Sequence, residues 1–94
     1  KVAFLPLGES EVELVQPTTA DSGMAAYLEK RGEGMHHLCI EVEDIDAALA
    51  HLKEMDIRLI NAVPEVLPGR KMAFIHPKAA NGVLIELYQL TEDV

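Results

Sequence analysis

Three polar side chains stand inside apolar, strand-like runs, and all three are metal-ligand types. They are Glu13 in Glu-Val-Glu-Leu-Val, His37 in Met-His-His-Leu-Cys-Ile, and Glu86 in Gly-Val-Leu-Ile-Glu-Leu-Tyr. A carboxylate flanked by Ile85 and Leu87 is costly to bury unless a proton, a cation or a set of hydrogen bonds satisfies it. A divalent ion would do so, and the triplet therefore points toward metal-assisted chemistry. The bland alternatives are a cross-strand ion pair for Glu86 and a hydrogen-bonded core histidine for His37. Glu11 shares the strand face of Glu13, so either of the two can be the solvent-facing one.

Strand alternation decides whether the triplet can meet. In the last run Leu84, Glu86 and Tyr88 share one face, while Val83, Ile85 and Leu87 form a uniformly apolar face that should meet a helix. His37, Cys39 and Glu41 oppose His36, Leu38, Ile40 and Val42, and Glu11, Glu13 and Val15 oppose Val12 and Leu14. Glu13, His37 and Glu86 can thus all lie on the face away from the helices. Cys39 shares the face of His37, which raises a thiol ligand or nucleophile, although its apolar neighbours favour a small packing residue. His36 is expected on the helix side, as a structural residue or as a partner that orients its neighbour.

The elements that must position these residues can be read along the chain. Val2 to Leu7 and Glu11 to Val15 form a hairpin around Gly8-Glu9-Ser10. Pro17 ends it, and Ala20 to Arg31 carries helix formers before a hinge at Gly32 and Gly34. Met35 to Val42 reads as a strand. Asp44 then caps a helix with Ile45, Ala48, Leu49, Leu52 and Met55 at helical spacing. Ile57 to Ile60 reads as a short strand, Pro64 to Gly69 as a loop, Lys71 to Ile75 and Val83 to Leu90 as strands, with Asn81-Gly82 in the final turn. From Met35 the order is β-α-β-β-β, preceded by a leftover β-β. Val2-Ala3-Phe4 echoes Met72-Ala73-Phe74, and Val12-Glu13-Leu14 echoes Ile85-Glu86-Leu87, in the same order. The front hairpin is therefore expected to be the tail of a second β-α-β-β-β unit.

Composition narrows the function classes. The 94 residues suffice for one domain or part of one, and 49% of them are hydrophobic while only 4% are aromatic, so Val, Ile, Leu, Ala and Met must build the core. A formal net charge of -8, with no basic run to offset it, argues against nucleic-acid binding. The single cysteine excludes an internal disulfide and fits a reducing, cytoplasmic setting, or a mitochondrial matrix if the source is eukaryotic. No run approaches the roughly 20 apolar residues that cross a bilayer, so no membrane partner is expected.

The arrangement resembles the vicinal oxygen chelate (glyoxalase/bleomycin resistance/dioxygenase) superfamily and, within it, the methylmalonyl-CoA epimerase family. The matching segments are Lys1 to Leu7, Glu11 to Pro17, Gly34 to Val42 with its His-His pair, Asp44-Ile45-Asp46-Ala47-Ala48, and His76-Pro77-Lys78 followed by Gly82 to Leu87. The resemblance implies an α+β fold in which paired βαβββ modules form a curled mixed sheet with a metal cleft. Residues 1–17 would be the last two strands of a partly present first module, 18–34 the connecting helix and hinge, and 35–94 a complete second module.

The resemblance also implies three metal ligands, Glu13, His37 and Glu86. A fourth ligand and a glutamate base would come from an upstream part of the first module. It implies a divalent ion, Co2+ first, with Ni2+, Mn2+, Zn2+ or Fe2+ as alternatives that residue type does not separate. The implied activity interconverts the (R) and (S) forms of methylmalonyl-CoA by α-proton transfer through a metal-stabilised enolate, with Glu86 as a second base besides being a ligand. Lys71 and Lys78 flank the loop beside the last strand and could meet the substrate carboxylate or CoA phosphates, or could be ordinary solvated lysines. A glutathione-linked glyoxalase I activity and a non-catalytic small-molecule-binding member of the superfamily are the alternatives. An open sheet edge where the missing strand would pair implies a homodimer.

Overall fold

The computed structural model describes residues 1–92 and divides into two units, Lys1–Gly34 and a second that begins at Met35. The first unit holds strands β1 (Val2–Leu7) and β2 (Ser10–Val15), followed by helix α1 (Gly23–Arg31). The strands pair antiparallel, with Phe4 opposite Glu13 and Leu5 opposite Val12. The helix starts three residues later than its composition suggests because Ser22 caps it: the Ser22 hydroxyl accepts from the Ala25 N–H at 3.1 Å and donates to the Thr19 carbonyl at 3.2 Å.

The second unit contains β3 (His37–Glu41), α2 (Ile45–Glu54), β4 (Glu65–Leu67), β5 (Arg70–Ile75) and β6 (Leu84–Leu90), the βαβββ order expected from the sequence. Its four strands lie in the order β3-β6-β5-β4, with β3 parallel to β6 and the other pairs antiparallel. Helix α2 is secured at its start by two side chains. Asp44 Oδ1 accepts from the Ala47 N–H at 3.1 Å, and Gln89 Oε1, from β6, accepts from the Ile45 N–H at 2.9 Å. Both satisfy amides that have no partner within the helix.

The core lies between α2 and the sheet. Ile45 and Leu49 from the helix are 0% and 2% exposed, and they meet Ala73 of β5 and Leu87 of β6. Ile75 and Ile85 pack against the same cluster. This is the apolar face anticipated for the last strand, and burial of each large aliphatic side chain there stabilises the unit by about 1.5–3 kcal/mol.

One strand expectation is corrected. Ile57 to Ile60 is not a strand of its own: Leu59 forms an isolated bridge to Ile75, the Ile60 N–H donates to the Phe74 carbonyl at 2.8 Å, and the Arg58 carbonyl accepts from the His76 N–H at 3.0 Å. Asn61 interrupts the ladder, because its side-chain Oδ1 takes the Phe74 N–H at 2.8 Å. The second strand of this unit is instead Glu65–Leu67, inside the stretch that the sequence reads as a loop. There Pro68 and Gly69 form a tight turn back into β5, and Gly69 has a φ of 79°. Proline followed by a residue with positive φ suits the two central positions of a type II turn. The Pro/Gly signal therefore marked a hairpin rather than a loop.

Candidate active site

The register of the second unit puts chemistry-bearing side chains on the sheet face opposite α2. Cys39 is paired with Glu86, Glu86 with Phe74, and Met72 with Tyr88, so His37, Cys39, Glu86, Tyr88, Phe74, Met72 and Arg70 alternate onto one side. Glu86 is only 5% exposed and is the buried charged residue among those described. Its position in the middle of β6, between two strands, is what buries it.

Glu86 divides its two oxygens between partners. Oε2 accepts from Arg70 Nη2 at 3.4 Å, and Oε1 lies 3.9 Å from His37 Nε2. The Arg70 guanidinium also sits over the Tyr88 ring, 5.8 Å from its centroid. A carboxylate in this position is thus neutralised from one side by a guanidinium and faces an imidazole on the other. Arg70 is a residue that the sequence reading missed. The strand starts at Arg70, one residue before Lys71, and period two from the Pro68-Gly69 turn aligns Arg70 with Met72 and Phe74.

His37 has a second partner. Its Nδ1 lies 2.8 Å from Nδ1 of His36, with the rings edge to face. β3 begins at His37, so His36 precedes the regular pleat, and its ring meets that of the neighbour it was expected to orient. One of the two Nδ1 atoms must carry the hydrogen. When His37 carries it, the lone pair of His37 Nε2 is left facing Glu86, the form that binds a cation.

The remaining predicted residues are placed as follows. Glu13 is exposed on β2 of the first unit, opposite Phe4. Lys71 lies on the helix-facing side of β5, with Nζ 3.7 Å from Asp46 Oδ2 of α2, and does not share the face of Glu86. Lys78 is exposed in a short 3-10 turn, Pro77–Ala79, where its N–H donates to His76 Nδ1 at 3.1 Å. Partial burial, followed by the positive charges of Arg58 and Lys78, holds His76 below the ordinary histidine value.

The donor set suits a divalent ion. One ligand-type atom each from His37, Cys39 and Glu86 lies within 4.8 Å of the others. Imidazole nitrogen, thiol sulfur and carboxylate oxygen on a rigid sheet are a donor set typical of borderline first-row metals. Among the described residues, no helix is long and apolar enough to cross a membrane.

Comparison with known proteins agrees with this geometry. The human mitochondrial methylmalonyl-CoA epimerase is 42% identical over 90 residues, covering 94% of this chain and 51% of the relative. An ethylmalonyl-CoA/methylmalonyl-CoA epimerase from Cereibacter sphaeroides is 41% identical over 92 residues, covering 95% of this chain and 69% of the relative. The structure matches that of a Streptomyces coelicolor methylmalonyl-CoA epimerase, solved in complex with 2-nitronate-propionyl-CoA, at a TM-score of 0.70 and 30% identity, over 98% of this chain and 69% of that one. The chain spans about half the length of the mammalian relatives it matches. Residues 1–74 match the family model for the Glyoxalase/Bleomycin resistance protein/Dioxygenase superfamily. With a glyoxalase-like βαβββ unit and relatives at this identity, the chain belongs to that superfamily.

Proposed function

We propose that this chain is part of a metal-dependent methylmalonyl-CoA epimerase, which interconverts the (R) and (S) thioesters by moving the proton at C2. The observation that carries the reading is the pairing of His37 Nε2 with the buried Glu86 carboxylate at 3.9 Å, in a chain whose relatives are named as epimerases of this substrate. His37 and Glu86 would hold the cation. A divalent cation bound there supplies Lewis acidity to carbonyl oxygens.

The chain's own residues account for the rest of the reading. Arg70 fixes Oε2 of Glu86 and so orients the carboxylate, leaving Oε1 to face the site. Glu86 then takes or returns the C2 proton on one face of the substrate. Inversion needs a second acid–base group on the opposite face. Lys78, on the exposed turn beside the last strand, would meet a substrate carboxylate or CoA phosphate. Lys71, engaged with Asp46, is less suited to that role.

In this reading the hairpin with α1 is the tail of a first module and its connection, and the unit from Met35 is the second module. The protein works as a homodimer in the cytoplasm, or in the mitochondrial matrix of a eukaryote, on an acyl-CoA substrate.

The test is deuterium incorporation at C2 of methylmalonyl-CoA in D2O, followed by NMR on the full-length protein with Co2+ and with a chelator. Exchange that depends on the metal supports the reading. Absence of exchange in the metal-loaded, full-length protein rejects it, and exchange unaffected by chelation rejects the metal dependence alone. A monomeric mass by light scattering at high concentration would reject the dimer.

A further inference from the structure

The end of β5 gathers cationic side chains apart from the His37–Glu86 pair. The isolated bridge between Leu59 and Ile75, together with the His76 N–H donated to the Arg58 carbonyl at 3.0 Å, sets Arg58 directly opposite His76. Leu59 and Ile75 pack against the core beneath α2, so alternation turns the side chains of Arg58 and His76 to the other face, the one that carries Glu86. Side chains opposite each other across an antiparallel pair are immediate neighbours. Lys78 follows on the turn Pro77–Ala79, where its N–H donates to His76 Nδ1 at 3.1 Å.

That hydrogen bond fixes the imidazole. With Nδ1 accepting, the neutral ring carries its hydrogen on Nε2 and keeps an N–H donor there. Partial burial, and after it the positive charges of Arg58 and Lys78, disfavour the protonated ring, so both cations stand close to it. In a chain of net charge -8, neither Arg58 nor Lys78 lies within ion-pair distance of a carboxylate among the described residues. Two unpaired cations and an imidazole N–H on one patch match a phosphate group, which accepts several charge-assisted hydrogen bonds at once.

We infer that Arg58, His76 and Lys78 form a subsite for a phosphate of the coenzyme A tail. The inference rests on the acyl-CoA reading above, chooses phosphate over carboxylate as the partner of Lys78, and adds Arg58 and His76. The β5–β6 register carries His76 opposite Leu84, and Leu84 is paired with His37, so His76 stands two strands, or roughly 10 Å, from His37 along the same face. The carboxylate of the methylmalonyl group adjoins the reacting carbon and stays beside His37 and Glu86. The phosphates are held away from that carbon by the pantetheine arm, and a patch removed from the reacting carbon is matched to them.

The test is isothermal titration calorimetry of the full-length protein with CoA, dephospho-CoA, pantetheine and inorganic phosphate, together with NMR of the His76 ring. CoA should shift the His76 ring resonances and bind at least about tenfold tighter than pantetheine, which has no phosphate. Dephospho-CoA keeps only the pyrophosphate. Affinity equal to that of CoA assigns the subsite to the pyrophosphate and affinity equal to that of pantetheine assigns it to the 3′-phosphate, either result supporting the inference. In Arg58→Gln the CoA affinity should fall by about tenfold, the effect of losing one hydrogen bond to a charged group, and in the double variant Arg58→Gln/Lys78→Gln it should approach that of pantetheine. Equal affinities for CoA and pantetheine in the unmodified protein, or an unaltered CoA affinity in the double variant, would overturn the inference. Inorganic phosphate bound as tightly as CoA would overturn the coenzyme assignment and leave a free-phosphate site. Metal-dependent exchange at C2 without a response of His76 to CoA rejects the subsite alone, whereas CoA binding at His76 without exchange rejects the epimerase reading alone.

Discussion

Nδ1 of His36 lies 2.8 Å from Nδ1 of His37, so the hydrogen between two adjacent imidazoles decides which His37 nitrogen keeps a lone pair. With the hydrogen on His37 Nδ1, Nε2 is available to a cation. With it on His36, Nε2–H of His37 points toward Glu86 Oε1, 3.9 Å away. His36→Phe removes the acceptor that selects the first arrangement. Its Co2+ affinity should fall by about 10- to 100-fold, the usual effect of losing an outer partner of a metal-bound histidine. His36→Asn, which retains an acceptor, should restore part of it. Isothermal titration calorimetry checks both, and equal affinities in all three proteins would show that the contact does not orient His37.

Arg70 holds one oxygen of Glu86 and leaves the other to a cation, whose charge its own positive charge opposes. Arg70→Met leaves Glu86 buried beside His37 without the guanidinium 3.4 Å away, and should destabilise the metal-free protein by about 1–3 kcal/mol. The same change removes a positive charge from the site. Added Co2+ should therefore raise the melting temperature more in Arg70→Met than in the unmodified protein, since stabilisation by a ligand follows its affinity for the folded state. Melting curves with and without metal decide the matter, and a smaller metal-induced shift in the variant would contradict it.

Glu86→Gln keeps the shape of the side chain and an acceptor for Arg70 but removes the base. In the full-length protein, C2 deuterium exchange should drop by about 10²–10⁴-fold, the range associated with loss of a general acid–base group. Circular dichroism should remain unchanged. Exchange at the unmodified rate would remove Glu86 from the proton-transfer role.

His76 gives a pH signature unrelated to the metal. Partial burial and the nearby Arg58 and Lys78 disfavour its protonated form, and its Nδ1 already accepts the Lys78 N–H at 3.1 Å. Its folded-state value therefore lies below the unfolded 6.5, and the unfolded chain binds the proton more readily. The stability supplied by neutral His76 is fully present above pH 6.5 and declines as the pH falls through the lowered value. The denaturation midpoint should lose this component in His76→Gln, and proton NMR of the His76 ring should titrate below a model histidine. Titration at or above the value of a histidine in an unfolded chain would refute the assignment.

The helix–sheet contact carries the second unit. Leu49 is 2% exposed against Ile45, Ala73 and Leu87, and Leu49→Ala should cost about 2–5 kcal/mol through lost burial and the cavity left behind. Urea denaturation measures it. A loss below 1 kcal/mol would mean that the site collapses around the smaller side chain.

Much of this architecture was legible in the sequence because it is written in local periodicity. Helix α2 followed from Asp44 and the spacing of Ile45, Leu49 and Leu52, and the two faces of β6 followed from alternation of Ile85 and Leu87 with Glu86. The hairpin β1–β2 followed from the break at Gly8 and Glu9. Two segments differ from the sequence reading, one through a side chain that replaces a backbone partner and one through a tight turn. Asn61 ends the pairing of residues 58–61 with β5, and Pro68-Gly69 makes a turn that restores a strand where a loop was expected.

By itself, the sequence determined which side chains share a strand face and which face is apolar, since both depend only on the two-residue repeat of a strand. It could not determine which strands are neighbours, and that choice made the site. Only the order β3-β6-β5-β4 puts Cys39 opposite Glu86 and sends Arg70, sixteen residues earlier in the chain, to the other oxygen of that carboxylate. Pairing between distant segments is fixed by the burial of Ala73 and Leu87 under α2, a property of the assembled sheet that no local window of residues contains.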